Sequence, residues 1–439
     1  MRIIQLTAGT GSFFCGTCIR DNALVMALRK LGHDALMVPM YLEPALDESS
    51  GAEGAPLFYG GINVYLQEKL PLFRKTPRWI DRMLDSPALL KAAAGKAGMT
   101  KASELGELTV STLRGEDGRQ SKELDRLVDW LATDGRADVV CLSNVLLIGL
   151  ARRIQERTSA AVVCTLQGED TFLDSLPERD RTQAWTTIRE RAGDVDAFVA
   201  VSKYHGDLMR ERAGLPADRV HVVHNGINLD GYCSDARRQA PEPPVLGYFA
   251  RMCWTKGLQT LIEAYISLRK RDKVKNLKLR VAGSRTEADV PFVTQMQQLL
   301  ADAGLSADTE FLPNVDKPGK IDFLQSLSVL SVPATYGESF GLYVIEAMAA
   351  GVPVVQPRHA AFPELIEATG GGVLYDPNDP EALVSSLEEL LLDSQRAREL
   401  GEQGRKAVFD CFSVERMAAR SAKVFENAMA RKRGDGTRV

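Results

Sequence analysis

The sequence predicts an α/β chain of two doubly wound domains in tandem. Apolar, β-branched runs alternate repeatedly with amphipathic helical stretches, the pattern of parallel sheets covered by helices on both faces. The alternation lapses over residues 229–244, "LDGYCSDARRQAPEPP", which is polar and proline-rich as a linker should be. It resumes at "VLGYFA" (245–250) and continues through a second set of strands.

Residues 1–39, "MRIIQLTAGTGSFFCGTCIRDNALVMALRKLGHDALMVP", read as strand, glycine loop, helix, Gly32 as a stop, and second strand. Leu24, Leu28 and Leu31, joined by Val25, make one helical face. Further strands are expected at Asp138–Leu142, Ala160–Leu166, Ala197–Ser202 and Arg219–Val223. The second set continues with "LKLRVAG" (277–283), "TEFLP" (309–313), "LSVLSVP" (327–333), "VPVVQP" (352–357) and "GVLYD" (372–376). The expected first domain is therefore residues 1–228, and the second is 229–412. A last helix from Ser413, within 413–439, is expected to pack back across the first domain.

Residues 44–135 lack a clean alternation and read as a helical insertion. Within them "KLPLFRKTPRWIDRML" (69–84) mixes aromatic and basic residues. An inserted lobe with its aromatics turned inward is favoured there over a membrane-surface or acceptor-docking helix.

The 439 residues are 45% hydrophobic and 26% charged, with a net charge of −4, which gives no support for a nucleic-acid partner. No apolar run is long enough to span a bilayer. The N-terminal Met-Arg-Ile-Ile-Gln-Leu is too short for a signal segment, so a cytoplasmic protein is expected. Seven cysteines, an odd number without a disulfide-rich pattern, point to reduced thiols.

Ligands of open α/β sheets bind at the carboxyl ends of strands. Just past the strand 245–250 come Arg251 and Lys256, the latter before a helix opened by Gly257. The next acidic residue along the chain is Glu263, so the two cations read as unpaired groups suited to a diphosphate. "SVLSVPATYGESFG" (328–341) repeats the arrangement, running off a strand into a bend with a helix starting near Gly341. The backbone amides of Phe340, Gly341 and Leu342 are available donors there. Glu338 precedes the helix, and Glu346 lies about one turn inside a stretch that carries no other charge. A carboxylate among apolar groups needs donors. The vicinal hydroxyls of sugars supply them, so a ribose at Glu346 and a hexose at Glu338 suggest a nucleotide sugar, the alternative being a surface Glu and a helix-start Glu stabilised by the helix dipole.

"GESFGLYVIEAMAAGVPVV" (337–355) closely resembles the E-x7-E signature of retaining glycosyltransferases of the GT-B fold, the group called family 4. "FARMCWTKG" (249–257) resembles that family's diphosphate segment, and "VHNGINLDGY" (223–232) its turn ending the first domain. "LRVAGS" (279–284) and "GGGVLYDPNDPEAL" (370–383) follow in the expected order. The resemblance implies two Rossmann-like domains facing a central cleft, and a hexose moved from a nucleoside-diphosphate sugar to an acceptor. Arg251 and Lys256 would hold the diphosphate and stabilise its growing charge, Glu346 would bind the ribose, and Glu338 would contact the hexose. Phe340, Gly341 and Leu342 would donate backbone amides, with Gly9 and Gly11 facing the diphosphate from the first domain. No metal or other cofactor is implied. The leaving phosphate would take the acceptor's proton on the same face of the sugar.

One position departs from the family. Where many relatives carry a His that reaches a sugar, this chain has Gln167, in "TLQGED" (165–170). Gln can donate and accept hydrogen bonds but cannot titrate, so it cannot shuttle a proton. A non-catalytic nucleotide-sugar sensor therefore stays open beside the transferase, as does a GT-B epimerase or hydrolase. Glu169 and Asp170 read more as the start of the next helix than as substitute contacts.

"CGTC" (15–18) has redox or zinc spacing, but a structural zinc needs about four ligands and no second pair follows. Packing or loop shape is favoured, with the redox reading open. "GTGSFFCG" (9–16) fails the dinucleotide fingerprint because its third position is Phe14. "DVD" (194–196) precedes a strand, the wrong end of a sheet for a metal site.

Overall fold

The computed structural model describes residues 1–9, 16–42, 50–53, 55–56, 58–59, 67, 102–232, 241–334 and 336–436. The chain forms two compact units, Met1–His224 with Val414–Val439, and Asn225–Ser413.

The first unit holds strands β1 (Arg2–Thr7), β2 (Asp34–Pro39), β3 (Val139–Leu142), β4 (Ala161–Leu166), β5 (Ala197–Ala200) and β6 (Val220–Val222). All pairings are parallel, in the order β2-β1-β3-β4-β5-β6. The helices are α1 (Gly16–Lys30), α2 (Ala102–Leu113), α3 (Ser121–Trp130), α4 (Ala151–Arg157), α5 (Glu169–Ser175), α6 (Glu178–Arg191) and α7 (Lys203–Ala213). Successive strand residues point to opposite faces, and in β1, β3, β4 and β5 both faces are buried. Ile4, Leu6, Val140, Val162 and Cys164 feed one core, while Ile3, Val139, Cys141, Ala161 and Val163 feed the other. That two-sided burial is why the strands read as continuous apolar runs.

The α1 face buries Leu24, Val25 and Leu28. Leu31, expected on that face, is 45% exposed because the helix ends at Lys30 and Gly32 turns the chain at φ +85°. Within the expected insertion, the described part from 102 onward holds α2, α3 and a π-helical turn, Leu131–Gly135. The run 69–84 lies outside the described residues. Asp196 caps sheet backbone, its carboxylate accepting from the Val162 amide at 2.7 Å.

The second unit holds β7 (Val245–Phe249), β8 (Lys278–Gly283), β9 (Thr309–Pro313), β10 (Val329–Leu330), β11 (Val354–Pro357) and β12 (Gly372–Tyr375). Its sheet is also parallel, ordered β12-β11-β10-β7-β8-β9. Its helices are α8 (Leu258–Arg271), α9 (Val290–Asp302), α10 (Lys317–Gln325), α11 (Leu342–Ala349), α12 (Phe362–Thr369), α13 (Pro380–Leu392) and α14 (Ser394–Cys411). The chain then returns to the first unit as α15 (Val414–Gly436), whose Met417, Ala418 and Phe425 join the core beneath α1. Among the described residues, no helix is long and apolar enough to cross a membrane.

Candidate active site

In the second unit the chain builds outward from β7 in one direction and from β10 in the other, so these two adjacent strands flank the topological switch point. Ligands of open α/β sheets bind outside the strand ends at such a point. Arg251 and Lys256 follow β7, and Glu338 follows β10. Each loop delivers the chain into a helix, α8 and α11, with Gly257 at φ +72° and Gly341 at φ +87° as the residues before them. The opening amides of these helices have no partner within the helix and suit an anion or sugar oxygens.

Local bonds fix both loops. The Tyr248 hydroxyl donates to the Arg251 carbonyl at 2.8 Å, and the Met252 amide to the Ser284 carbonyl at 2.9 Å. Gly257 lies against the other loop so closely that a Cβ there would sit 1.8 Å from the Pro333 carbonyl oxygen. Only glycine permits both this approach and the left-handed backbone.

Glu338 is buried, and three donors converge on its Oε2. They are the Lys256 ammonium at 2.6 Å, the Tyr343 hydroxyl at 2.9 Å and the Tyr336 hydroxyl at 3.1 Å. The Lys256 ammonium also bonds the Tyr336 hydroxyl and lies 4.8 Å from that ring's centre. Burial works to raise the Glu338 carboxyl, but Lys256 and the two tyrosines outweigh it and hold its pKa below the usual value. Burial and the Glu338 charge push both phenols upward, so they remain protonated donors.

The structure corrects the expectation of two unpaired cations. Arg251 forks onto Asp289, with Nε at 3.1 and 3.2 Å from the two carboxylate oxygens and Nη2 at 2.9 Å from Oδ1. Lys256 carries Glu338. The partners lie 38 and 82 positions along the chain, so a search for nearby acids in sequence could not find them. Asp289 also closes a capping box with Thr286, a T-x-x-D spacing visible in the sequence. Glu346, on α11, accepts from Lys320 of α10 at 2.8 Å, another partner that sequence reasoning missed. Phe340 is buried against Phe412, and Gly341 lies beside Glu338, where an added Cβ would sit 3.6 Å from Cγ. Leu342 opens α11.

Other expected residues lie in the first unit. Gly9 follows β1 at φ +74°, its backbone so close to the Leu42 carbonyl that a Cβ would come within 1.7 Å of the oxygen. Gly11 and Cys15 lie outside the described residues; Cys18 is buried in α1. Gln167 follows β4, and its amide donates to the Ser143 carbonyl at 2.7 Å, tying two strand ends together. Glu169 opens α5 and gathers the Val145, Gln167 and Gly168 amides at 3.1, 2.9 and 3.0 Å. His205, wholly buried and not singled out by sequence, accepts from the Gly168 amide at 3.0 Å. Glu169 and His205 therefore shape the turn that carries Gln167.

Asp289 is, like Glu338, a carboxyl with a lowered pKa: burial opposes ionisation, but Arg251 and Thr286 more than compensate. A carboxyl whose pKa is lower in the folded state adds stability that is complete above the unfolded value and is lost as pH falls through the folded one. Asp289→Asn is therefore expected to be less stable than wild type near neutrality. The gap should close as the pH drops below about 4, and thermal melts at stepped pH check it.

Two family models match the chain. "Glycosyltransferase Family 4" matches residues 108–230, and "Glycosyl transferases group 1" matches residues 234–407. A D-inositol 3-phosphate glycosyltransferase of Streptomyces avermitilis is 28% identical over 244 residues, 53% of this chain and 52% of that protein. A GDP-mannose-dependent alpha-(1-6)-phosphatidylinositol monomannoside mannosyltransferase of Mycolicibacterium smegmatis is 26% identical over 293 residues, 64% of this chain and 72% of that protein. The chain thus spans about half the length of the first relative and more of the second. Among solved structures, a sucrose-phosphate synthase from Thermosynechococcus elongatus superposes with a TM-score of 0.71 at 18% identity, covering 98% of this chain and 99% of the other. Anabaena HepE, solved with UDP-glucose, gives 0.63 at 16% identity over 97% and 99%.

Proposed function

The chain belongs to the glycosyltransferases of the GT-B fold, which two family models match over adjoining stretches of it, and on that premise we propose that it moves a hexose from a nucleoside-diphosphate sugar to a hydroxyl acceptor with retention at the anomeric carbon. The observation that carries the reading is the Lys256–Glu338 pair, with Arg251 on the same loop as Lys256, past the ends of the adjacent strands β7 and β10.

In this reading the donor diphosphate lies where the two loops enter α8 and α11. Arg251 engages Asp289 through Nε and Nη2, which leaves Nη1 to reach a phosphate oxygen without breaking that pair. Lys256 has three N–H groups and turns from Glu338 toward the diphosphate as its charge grows. Glu338 accepts from a hexose hydroxyl and Glu346 from the ribose diol, while Phe340, Gly341 and Leu342 offer backbone amides. As the glycosidic bond breaks, its electron pair passes to the leaving phosphate oxygen. Arg251 and Lys256 stabilise that charge most when it is fully developed, which lowers the barrier. The same oxygen then takes the acceptor's proton on the face it departs from, so the new bond forms there. Gly9 and Gly11 are first-unit residues that the proposal assigns to the donor diphosphate, and Gln167 is assigned to an acceptor or sugar contact.

The donor base is open between uridine and guanosine, since HepE was solved with UDP-glucose and the mycobacterial relative is named for GDP-mannose. The Streptomyces relative is named for inositol 3-phosphate and the mycobacterial one for a phosphatidylinositol monomannoside, so an inositol phosphate is the first acceptor to test. The proposal takes the reaction to be cytoplasmic and needs no metal. Incubation with UDP-glucose and GDP-mannose, with and without inositol phosphate, tests it. Nucleoside diphosphate should appear with a product of unchanged anomeric configuration. Inverted product would refute retention, and sugar release independent of acceptor would make the protein a hydrolase.

A further inference from the structure

All three donors to Glu338 meet one oxygen. Lys256, Tyr343 and Tyr336 each bond Oε2, and Oε1 accepts from no described residue. Tyr343 differs from the other two. Lys256 is the group the diphosphate draws away, and Tyr336 is shared with that same ammonium. Tyr343 is buried in the first turn of α11, with its ring packed 6.5 Å from that of Phe362. Its ring is thus anchored in the core, and its hydroxyl, unlike that of Tyr336, bonds Glu338 without bonding the Lys256 ammonium, which lies 5.5 Å from the ring's centre.

We propose that Tyr343 is a positioning residue for sugar transfer, holding Oε2 of Glu338 so that Oε1 is the oxygen offered to a sugar hydroxyl. The proposal rests on the reading of Glu338 as the hexose contact, and gives that site a second requirement. When Lys256 leaves for the diphosphate, a buried carboxylate would otherwise lose its cation at the moment it must act as an acceptor. The Tyr343 hydroxyl keeps one strong bond on Oε2, so the carboxylate stays ionised and keeps its orientation. The aromatic ring alone could not do this.

Tyr343→Phe keeps the ring and removes the donor. With whichever of UDP-glucose and GDP-mannose the wild type turns over, kcat should fall about 10- to 100-fold with a smaller change in KM. The acidic limb of the kcat/KM profile should move to higher pH. In a Glu338→Gln background the same change should have little further effect, because its action passes through the carboxylate. A full loss in that background, or unchanged kcat and pH profile in the single variant, would overturn the proposal. A titration of the Glu338 side-chain carboxyl by carbon-13 NMR needs no ligand and keeps the two readings separable. If Tyr343→Phe leaves the carboxyl's midpoint unchanged, Tyr343 does not hold Glu338, whatever the donor. If the midpoint rises but the wild type turns over neither nucleotide sugar, the donor reading fails and the link to transfer falls with it.

Discussion

Lys256→Ala is expected to reduce nucleoside-diphosphate affinity by about 100-fold and stability by about 2–3 kcal/mol. Both losses come from one ammonium. It is the cation nearest the Glu338 carboxylate, at 2.6 Å, and the side chains are only 22% and 9% exposed. Removing it leaves a buried carboxylate held by two phenols alone, a group that must either stay charged without a cation or take up a proton. The two losses can be separated. In Lys256→Ala/Glu338→Gln the carboxylate is gone, so much of the stability should return while affinity stays low. Calorimetric titration with UDP and GDP reads affinity, and thermal melts read stability. Affinity recovered together with stability would mean that Lys256 matters only as the partner of Glu338.

Gly257→Ala is the second large effect. The two loops at the switch point touch through backbone, and an added Cβ would stand 1.8 Å from the Pro333 carbonyl oxygen and 2.4 Å from its carbon. No rotamer relieves that overlap, so one loop must move. The left-handed backbone adds about 1 kcal/mol. Gly304 supplies the control, since it has φ +73° against +72° at Gly257 but nothing within 4 Å of an added Cβ. Gly304→Ala should cost about 1 kcal/mol and spare binding. Gly257→Ala should cost about 3 kcal/mol or more and weaken diphosphate binding by displacing Lys256. Equal destabilisation by the two would show that the loop contact contributes little.

The sheets were legible because their central strands are buried on both faces. Ile3 and Ile4 both have to be apolar when each faces a core, so β1 reads as an unbroken run. The run 327–333 is longer than the strand it announces, because β10 pairs only at Val329 and Leu330. Beyond it Ser331 stays buried, its hydroxyl donating to the Val355 carbonyl at 2.6 Å. Burial is what the sequence pattern reports, and it outlasts the ladder.

At the site, the positions at strand ends were legible and their partners were not. Arg251, Lys256 and Glu338 announce themselves by following apolar strands. Asp289 and Lys320 are drawn in by the fold from other segments, so their ion pairs are tertiary facts. Tyr343 is visible in the sequence only as one more bulky residue on an apolar helix. That its hydroxyl serves Glu338 follows from the turn of α11 that stacks it over the bend. Glu169 was legible as a helix start, but its hold on the Val145 amide was not, and His205 was hidden because it holds the Gly168 amide from a distant segment.

Isothermal titration of the wild-type protein with UDP, GDP and ADP tests the central claim most directly, that the switch point of the second unit holds a nucleoside diphosphate. The expected result is one nucleotide bound with a dissociation constant of order micromolar, about −8 kcal/mol, and that heat lost in Lys256→Ala. Absence of binding by all three, in protein shown to be folded, would contradict the account.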